Sequence, residues 1–322
     1  MPKLVIIGQS PAAYSALRTI CTSADWSVAL IATDTCLPYD RALFPGLITR
    51  QSKEKDVFFA NEGFYKEHKV ELILDKELSR INFSRRKIYL AERLQVEYDA
   101  LLLTDTPQLR LPEIKGIRRP GVFDIARLDS LHRLLKHLIF IETAVVVPTT
   151  RRGLDIALAL KAAGKEVVLV ASGDLELSRA LFAEFGGLIA EHGLRVVDDN
   201  TVEDILGEGD VKAVRFKTGK VMACETVIFE EALPDLRFLA GTDLLIRERI
   251  CVHVNMLTNI PDVYAADAVM ELPVPSGEGM LPLVGTYSLD TGTSLRQGEC
   301  AARAILGQTD SVQENISGGN EL

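Results

Sequence analysis

Two turns in this chain have the spacing of a phosphate-binding loop. In residues 3–34, Gly8, Ser10 and Ala13 occupy the three glycine positions of the pattern G-x-G-x-x-G. In that pattern a strand ends in a tight turn, and the following helix points its free N–H groups at the pyrophosphate of a dinucleotide. The Ser10 side chain is small and can itself donate to phosphate, so this turn is a candidate nucleotide site. The alternative is a plain strand-to-helix turn that Ser10 caps.

The second turn, in residues 143–174, departs further from the pattern. Pro148, Thr150 and Gly153 stand at its glycine positions. Proline lacks an N–H group, and a β-branched residue crowds the place where phosphate must approach the backbone. The arginines at 151–152 could hold a phosphate, but a solvated helix start is the preferred interpretation. The sequence therefore predicts a nucleotide at the first turn only.

The composition is that of a globular protein with a substantial core. The chain has 322 residues, 47% hydrophobic and 25% charged, and a net charge of −9. This acidic balance disfavours a surface for nucleic acid or anionic membrane. No apolar run approaches the ~18 residues of a membrane span. Residues 1–7 lead directly into a strand, which predicts a cytoplasmic protein.

Cysteine and histidine spacing gives no sign of a redox or metal centre. The five cysteines form no C-x-x-C pair, and the histidines form no H-x-x-x-H pair. We expect structural thiols and no metal site, and the sequence identifies no catalytic residue. The cysteines are Cys21, Cys36, Cys224, Cys251 and Cys300.

The hydrophobic pattern predicts strands that alternate with helices. Continuous apolar strands at 4–7 and 28–31 are typical of a parallel sheet covered on both faces. Other strands are predicted at 70–74, 81–83, 87–90, 95–97, 100–103, 195–198, 210–217, 220–229 and 263–265. Helices are predicted at 12–21, 128–138, 179–192 and 294–306.

The order of these segments resembles the FAD-dependent pyridine nucleotide-disulfide oxidoreductase superfamily, in its branch of NADH oxidases, rubredoxin reductases and nitrite-reductase-like flavoproteins. The resemblance covers residues 3–308, and it is carried by VIIGQSPAAYSAL, LPYDRALFPGLI, EGFYKEHKVELIL with VEYDALLL, IPDVYAADAVME and LRQGECAARAILG. It implies an α/β protein with two Rossmann-like, three-layer FAD/NAD(P)-binding domains, the second inserted in the first. Residues 1–114 and 243–308 would form the FAD-type domain, and residues 115–242 a degenerate NAD(P)-type domain. Residues 309–322 are predicted to be a polar tail.

The resemblance also implies FAD as the cofactor and a set of contacts to it. The turn amides near 10–12 would face the pyrophosphate, and an arginine would lie beside the flavin. The implied contacts are Gly8, Ser10, Ala12, Ala13, Asp34, Arg41 and Asp267.

Three of these contacts have alternatives. Ala32 stands where a ribose-binding carboxylate is expected, so Asp34 is the candidate, and a solvated loop aspartate is its alternative. For Arg41 the alternative is a surface arginine. Asp267 stands on the glycine of the family's A-A-G-D, one residue from the usual carboxylate, so its contact to the ribityl chain depends on a local shift.

Other cofactor motifs of the family are altered. Asp105 and Thr106 replace the last two residues of an A-T-G motif, and a carboxylate close to a diphosphate is unfavourable. In the second domain Ala171 replaces the ribose acid, while Glu230 and Glu231 replace small residues. NAD(P) binding in the usual mode is therefore predicted to be lost.

Two functions remain open. We expect no redox cysteine pair and no C-terminal interface domain of ~100 residues, and therefore a flavin-containing electron-transfer subunit that works with another protein. The alternative is a pseudoenzyme, a structural or regulatory subunit that binds neither cofactor. The predicted docking face combines the 38–48 segment with the 272–293 loop, whose apolar side chains are Leu281, Leu283, Val284 and Tyr287.

Overall fold

Strands and helices alternate along this computed structural model, which describes residues 1–23, 25–105, 112–230, 236–247, 249–271 and 290–308. The predicted tail at 309–322 lies outside them. The helices are α1 Pro11–Cys21, α2 Phe44–Ile48, α3 Glu62–Glu67, α4 Leu128–His137, α5 Arg151–Ala162, α6 Leu175–Glu184, α7 Gly186–Glu191 and α8 Thr291–Ile305. The strands are β1 Lys3–Ile7, β2 Ser27–Ile31, β3 Glu71–Ile73, β4 Leu78–Asn82, β5 Lys87–Leu90, β6 Gln95–Glu97, β7 Ala100–Leu103, β8 Val122–Asp124, β9 Thr143–Val147, β10 Glu166–Ala171, β11 Arg195–Leu206, β12 Ala213–Phe216, β13 Val221–Ala223, β14 Thr226–Phe229, β15 Ile250–Cys251, β16 Val263–Ala265 and β17 Met270–Glu271.

The first sheet is parallel throughout, in the order β16-β7-β1-β2-β3. β1 lies at its centre, and every residue of β1 after Lys3 is buried. β16 comes from late in the chain and pairs with β7, Val263 opposite Leu101. A separate antiparallel meander joins β4, β5 and β6. The late strand therefore completes a sheet that the first hundred residues begin.

The second sheet has the order β13-β12-β11-β10-β9-β14-β8. Its strands from β11 to β8 are parallel, and β12 and β13 add an antiparallel edge. β14 lies beside β9 as β7 lies beside β1. The α/β class with two parallel sheets is confirmed, while the domain boundaries at 114/115 and 242/243 remain a prediction.

Two predicted elements are each divided in the structure. The helix predicted at 179–192 is broken between α6 and α7, because two glycines at 186–187 lower the helix propensity there. The strand predicted at 220–229 is two strands, β13 and β14, separated by a break at Cys224 and Glu225. The Glu225 carboxylate accepts the amides of Glu142 and Thr143. This distant contact fixes the break between the two strands, and an apolar run alone does not reveal it.

The 38–48 segment does not present the predicted apolar docking face. Tyr39, Phe44 and Leu47 are buried in one cluster with Ile156 of α5. This part of the docking prediction is wrong, because the apolar side chains of the segment pack against helices of the second sheet.

The rest of that predicted face, at 272–289, lies outside the described residues. Among the residues that the structure does describe, no helix is long and apolar enough to cross a membrane. The same residues contain no His, Cys, Asp or Glu group suited to a metal ion.

The cysteines are buried to different degrees. Cys224 is buried, and the other four are partly exposed. Burial raises the pKa of Cys21 to about 11 and that of Cys224 to about 12. A raised pKa keeps a thiol protonated and unreactive at neutral pH.

Candidate functional site

The first predicted turn, between β1 and α1, is fixed by its neighbours. Gly8 has a φ of +121°, and a Cβ on it would overlap the Thr104 hydroxyl, so only glycine fits. Its amide donates to the Ile31 carbonyl at 2.9 Å, and the Gln9 amide donates to the Asp105 carbonyl at 3.3 Å. These bonds hold the turn between the carboxyl ends of β2 and β7.

The N-terminus of α1 keeps open donors at this turn. Ser10 caps the helix, since its hydroxyl accepts from the Ala13 amide at 3.3 Å. Pro11 has no amide hydrogen. Within the described part of the chain, the amides of Ser10 and Ala12 donate to no protein acceptor. Open amides at a helix N-terminus favour an anion, so capping by Ser10 and binding at this turn are compatible.

Close packing of α8 on α1 positions the small residues of the turn. Ala12 and Ala13 are fully buried. A Cβ on Gly298 of α8 would overlap the Ala12 carbonyl. The two helices therefore approach at a point where only glycine fits on α8.

Asp267 follows β16 and lies beside the first turn, and we call the space around both the crevice. Its Oδ1 accepts from the Ser294 hydroxyl and the Ala268 amide, both at 2.9 Å. Its Oδ2 is buried and has no partner among the described residues. Burial, and then the charge of Asp105, raise the pKa of Asp267, while Ser10 and Arg41 act in the opposite direction. The carboxylate thus has one oxygen available for a hydroxyl donor.

Arg41 and Asp105 form an ion pair in this crevice. Their side chains are 14% and 10% exposed, so Arg41 is not a surface arginine. Burial alone would lower the pKa of Arg41, but the charges of Asp105 and Asp267 raise it above its ordinary value. The guanidinium offsets the negative charge that Asp105 adds beside the turn.

Asp34 is fully buried rather than solvated. Its Oδ2 accepts from the Tyr39 hydroxyl at 2.9 Å, and its Oδ1 accepts from the Thr35 amide at 2.8 Å. Arg127 lies 3.5 Å from Oδ1, just before α4. The Gln9 side chain accepts from the Asp34 amide at 3.2 Å. Asp34 therefore connects the first turn, through its amide, to Arg127 before α4, through its carboxylate.

The second turn, between β9 and α5, already holds an anion. The carboxylate of Glu230, directly after β14, accepts the amides of Thr149 and Thr150 at 3.1 and 2.9 Å. Thr150 also caps α5. From the sequence alone, Glu230 is recognisable only as the replacement of a small residue. The available signal was a charged residue at the end of an apolar strand, which requires an internal partner.

Arg152 of α5 feels the charges of both turns. It is half-buried rather than solvated. Burial and the charge of Arg41 lower its pKa, while the charges of Glu230, Asp105 and Asp267 raise it. Charged groups of both turns therefore act on this one guanidinium.

The chain matches a family model over residues 2–283, that of the pyridine nucleotide-disulphide oxidoreductases. The chain belongs to this family. The resemblance carried by the five motifs is thereby confirmed. The family binds FAD and usually NAD(P)H as well, so membership supports FAD and gives no support to the predicted loss of NAD(P).

Individual relatives are distant in sequence. Rhodocoxin reductase of Rhodococcus erythropolis is 22% identical over 312 residues, which cover 94% of this chain and 72% of the relative. NADH oxidase of Methanocaldococcus jannaschii is 24% identical over 321 residues, with 95% and 70% covered. The ferredoxin–NAD(+) reductase subunit of the benzene 1,2-dioxygenase system of Pseudomonas putida is 23% identical over 318 residues, with 97% and 76% covered.

A solved structure shares the fold. The covalent putidaredoxin reductase–putidaredoxin complex superposes with a TM-score of 0.82 at 17% identity, over 95% of this chain and 76% of that chain. At this identity the similarity shows the fold alone.

Proposed function

We propose that this family member is an FAD-containing electron-transfer protein that exchanges electrons with a partner protein and does not bind NAD(P)H in the usual way. The contrast between the two turns carries the proposal. At the first turn, the amides of Ser10 and Ala12 find no acceptor among the described residues. At the second, those of Thr149 and Thr150 both donate to Glu230. One turn is open to a pyrophosphate, and the other is occupied.

The residues around the first turn fit FAD. The open amides and the dipole of α1 suit a pyrophosphate. The buried, unpartnered Oδ2 of Asp267 suits a sugar hydroxyl. Arg41 supplies positive charge between the two carboxylates of the crevice. Bound FAD would supply the ability to accept and release electrons, which the side chains present do not have.

The proposed contacts have different strengths. Asp34 is the least available for FAD, because both of its carboxylate oxygens already have protein partners.

We retain the inserted-domain boundaries, residues 115–242 within 1–308, as part of the proposal. The full set of proposed FAD contacts is Gly8, Ser10, Ala12, Ala13, Asp34, Arg41 and Asp267.

The partner that we propose is a ferredoxin-like redox protein. By their names, two of the relatives act on rhodocoxin and ferredoxin, and the solved structure joins a reductase to putidaredoxin. The acidic chain, with its net charge of −9, would meet such a partner through a local surface rather than through overall charge attraction.

Flavin content tests the cofactor. We expect the purified protein to be yellow and to bind about one FAD per chain. Ser10→Asp keeps a helix-capping oxygen but places a carboxylate at the open amides, so it should lose FAD. Ser10→Asn, the neutral control of similar size, should keep it. A wild-type protein that stays colourless after incubation with FAD would overturn the proposal.

Reduction of the flavin tests the electron route. Stopped-flow mixing should show bleaching of the flavin absorbance by a reduced ferredoxin and no bleaching by NADH or NADPH at equal concentration. Rapid bleaching by either nucleotide would contradict the proposed route, even if FAD is bound.

A pseudoenzyme is the second candidate, and one observation favours it. Internal bonds already join the segments that surround the crevice. The Gln9 side chain accepts from the Asp34 amide in the loop after β2, and Asp105 pairs with Arg41. Such bonds stabilise the crevice without a cofactor. A folded, colourless protein whose unfolding temperature does not respond to FAD would support this candidate.

A further inference from the structure

The carboxylate of Glu230 sits on the N-terminus of α5 with a full set of donors. Glu230 is 5% exposed. Its Oε2 accepts the amides of Thr149 and Thr150 at 3.1 and 2.9 Å, and the Thr149 hydroxyl lies 3.4 Å away. Its Oε1 accepts from the Thr150 hydroxyl at 2.5 Å. The Thr149 hydroxyl donates its hydrogen to the Glu230 backbone carbonyl at 2.6 Å, so two amides and one hydroxyl hold the carboxylate. These are donors that a phosphate group takes at a helix N-terminus.

The space around the Glu230 carboxylate is closely filled. A Cβ on Gly153 would lie 2.8 Å from the Glu230 Oε2 and 2.7 Å from the Pro148 Cβ. Glycine at position 153 therefore leaves the space that the carboxylate fills. In this chain that close approach serves a side chain of the protein itself.

The first sheet provides an internal comparison. The Thr104 amide donates to the Ile7 carbonyl at the end of β1, and the Glu230 amide donates to the Val147 carbonyl at the end of β9. Thr104 and Glu230 thus occupy equivalent positions in the two sheets. The short Thr104 hydroxyl turns back to Ile7 at 2.9 Å, whereas the longer Glu230 side chain reaches the turn amides.

We propose that Glu230 is an intramolecular substitute for a phosphate group, and that it fills an anion site that the second turn still possesses. The site is latent: without the carboxylate, the donors of Thr149 and Thr150 would take a phosphate or pyrophosphate. Because the carboxylate is tethered to the chain, its local concentration exceeds that of any free nucleotide. This inference extends the proposed function and does not require that FAD binds.

Glu230→Ala tests the proposal, with Glu225→Ala as the matched control. Glu225 also accepts two backbone amides, those of Glu142 and Thr143, but at the opposite end of β9, away from the turn. Both changes should lower the unfolding temperature, because each removes the acceptor of two backbone amides. Only in Glu230→Ala should inorganic pyrophosphate restore that temperature.

Calorimetry supplies the affinity. Pyrophosphate should bind Glu230→Ala about tenfold or more tightly than wild type, as expected for a regained anion site with charge-assisted donors. The wild-type protein has the same first turn, so any binding there cancels in the comparison. Glu230→Gln keeps the shape and one acceptor oxygen, and it serves as the folded variant for the same titration. Its pyrophosphate affinity should also exceed that of wild type.

Equal pyrophosphate affinity in wild type and both Glu230 variants would overturn the inference. So would rescue of Glu225→Ala by pyrophosphate, since that would show a general effect of the anion on stability. The absence of FAD in all of these proteins would leave the result intact and would count only against the proposed function.

Discussion

Arg41 and Asp105, 64 residues apart in the chain, are paired across the mouth of the first turn. Arg41 begins the short helical segment after the loop at 34–40, and Asp105 comes just after β7. The pair joins two segments that flank the crevice and neutralises a carboxylate that would otherwise repel a diphosphate.

Arg41→Ala should destabilise the protein by about 3 kcal/mol, because it leaves the Asp105 charge buried without a partner. Urea unfolding measures the loss. In an Asp105→Ala background, the same change should have a much smaller effect. Strictly additive losses in this double-mutant cycle would contradict a direct interaction.

Gly298→Ala should destabilise the protein by about 2 kcal/mol, because the new methyl group would overlap the Ala12 carbonyl and force α8 away from α1. Gly187 is the control, since a Cβ there meets no atom within 4 Å and the residue lies in a helix. Gly187→Ala should stabilise by about 0.5 kcal/mol. Thermal unfolding of the two variants should therefore shift in opposite directions, and equal shifts would contradict the packing argument.

Tyr39→Phe should cost about 2 kcal/mol, because it removes a hydrogen bond to a buried carboxylate. The lost hydroxyl donates to Asp34 and accepts the Leu128 amide at 3.2 Å. Tyr65 is equally buried, but its hydroxyl has no partner within the described ranges. Tyr65→Phe should therefore be neutral or slightly stabilising in denaturant unfolding. A similar loss in both variants would show that the Asp34 network is not the cause.

The pH dependence of stability should carry a contribution of unusual sign from Asp267. Its pKa is raised in the folded protein above the ordinary value of 3.8, first by burial and then by Asp105. The folded state therefore binds this proton more tightly than the unfolded chain does. The contribution grows as pH falls through the raised pKa toward the ordinary value, and it is lost as pH rises above the raised pKa.

Asp267→Asn removes this titration. It should increase stability at pH 7, and the gain should shrink toward pH 4 as the wild-type carboxyl becomes protonated. Thermal unfolding of both proteins across this range measures the difference. A gain that is independent of pH would contradict the assignment.

The local pattern of the sequence was sufficient for the repeated units. The apolar strands β1, β2, β9 and β10, and the helices α1 and α5 between them, follow from short-range periodicity and turn residues. The family motifs then ordered these units, because they occur in a fixed sequence along the chain. Single-residue periodicity could not locate the break between α6 and α7 or the break at 224–225 between β13 and β14, where a glycine pair and a distant carboxylate contact interrupt the elements.

By itself the sequence determined that the protein has two βαβ units, that its first turn keeps the small residues of a phosphate loop, and that its second turn loses them. The interaction partners of its charged side chains were decided only by the tertiary structure. From the sequence alone, each of three residues is recognisable only as a carboxylate in a loop or at the end of a strand: Asp34, Asp105 and Glu230. Folding brings Tyr39, Arg41 and the amides of the second turn to them, because the carboxyl ends of parallel strands meet at one edge of each sheet. A buried charge requires a partner, and that partner can lie anywhere in the chain.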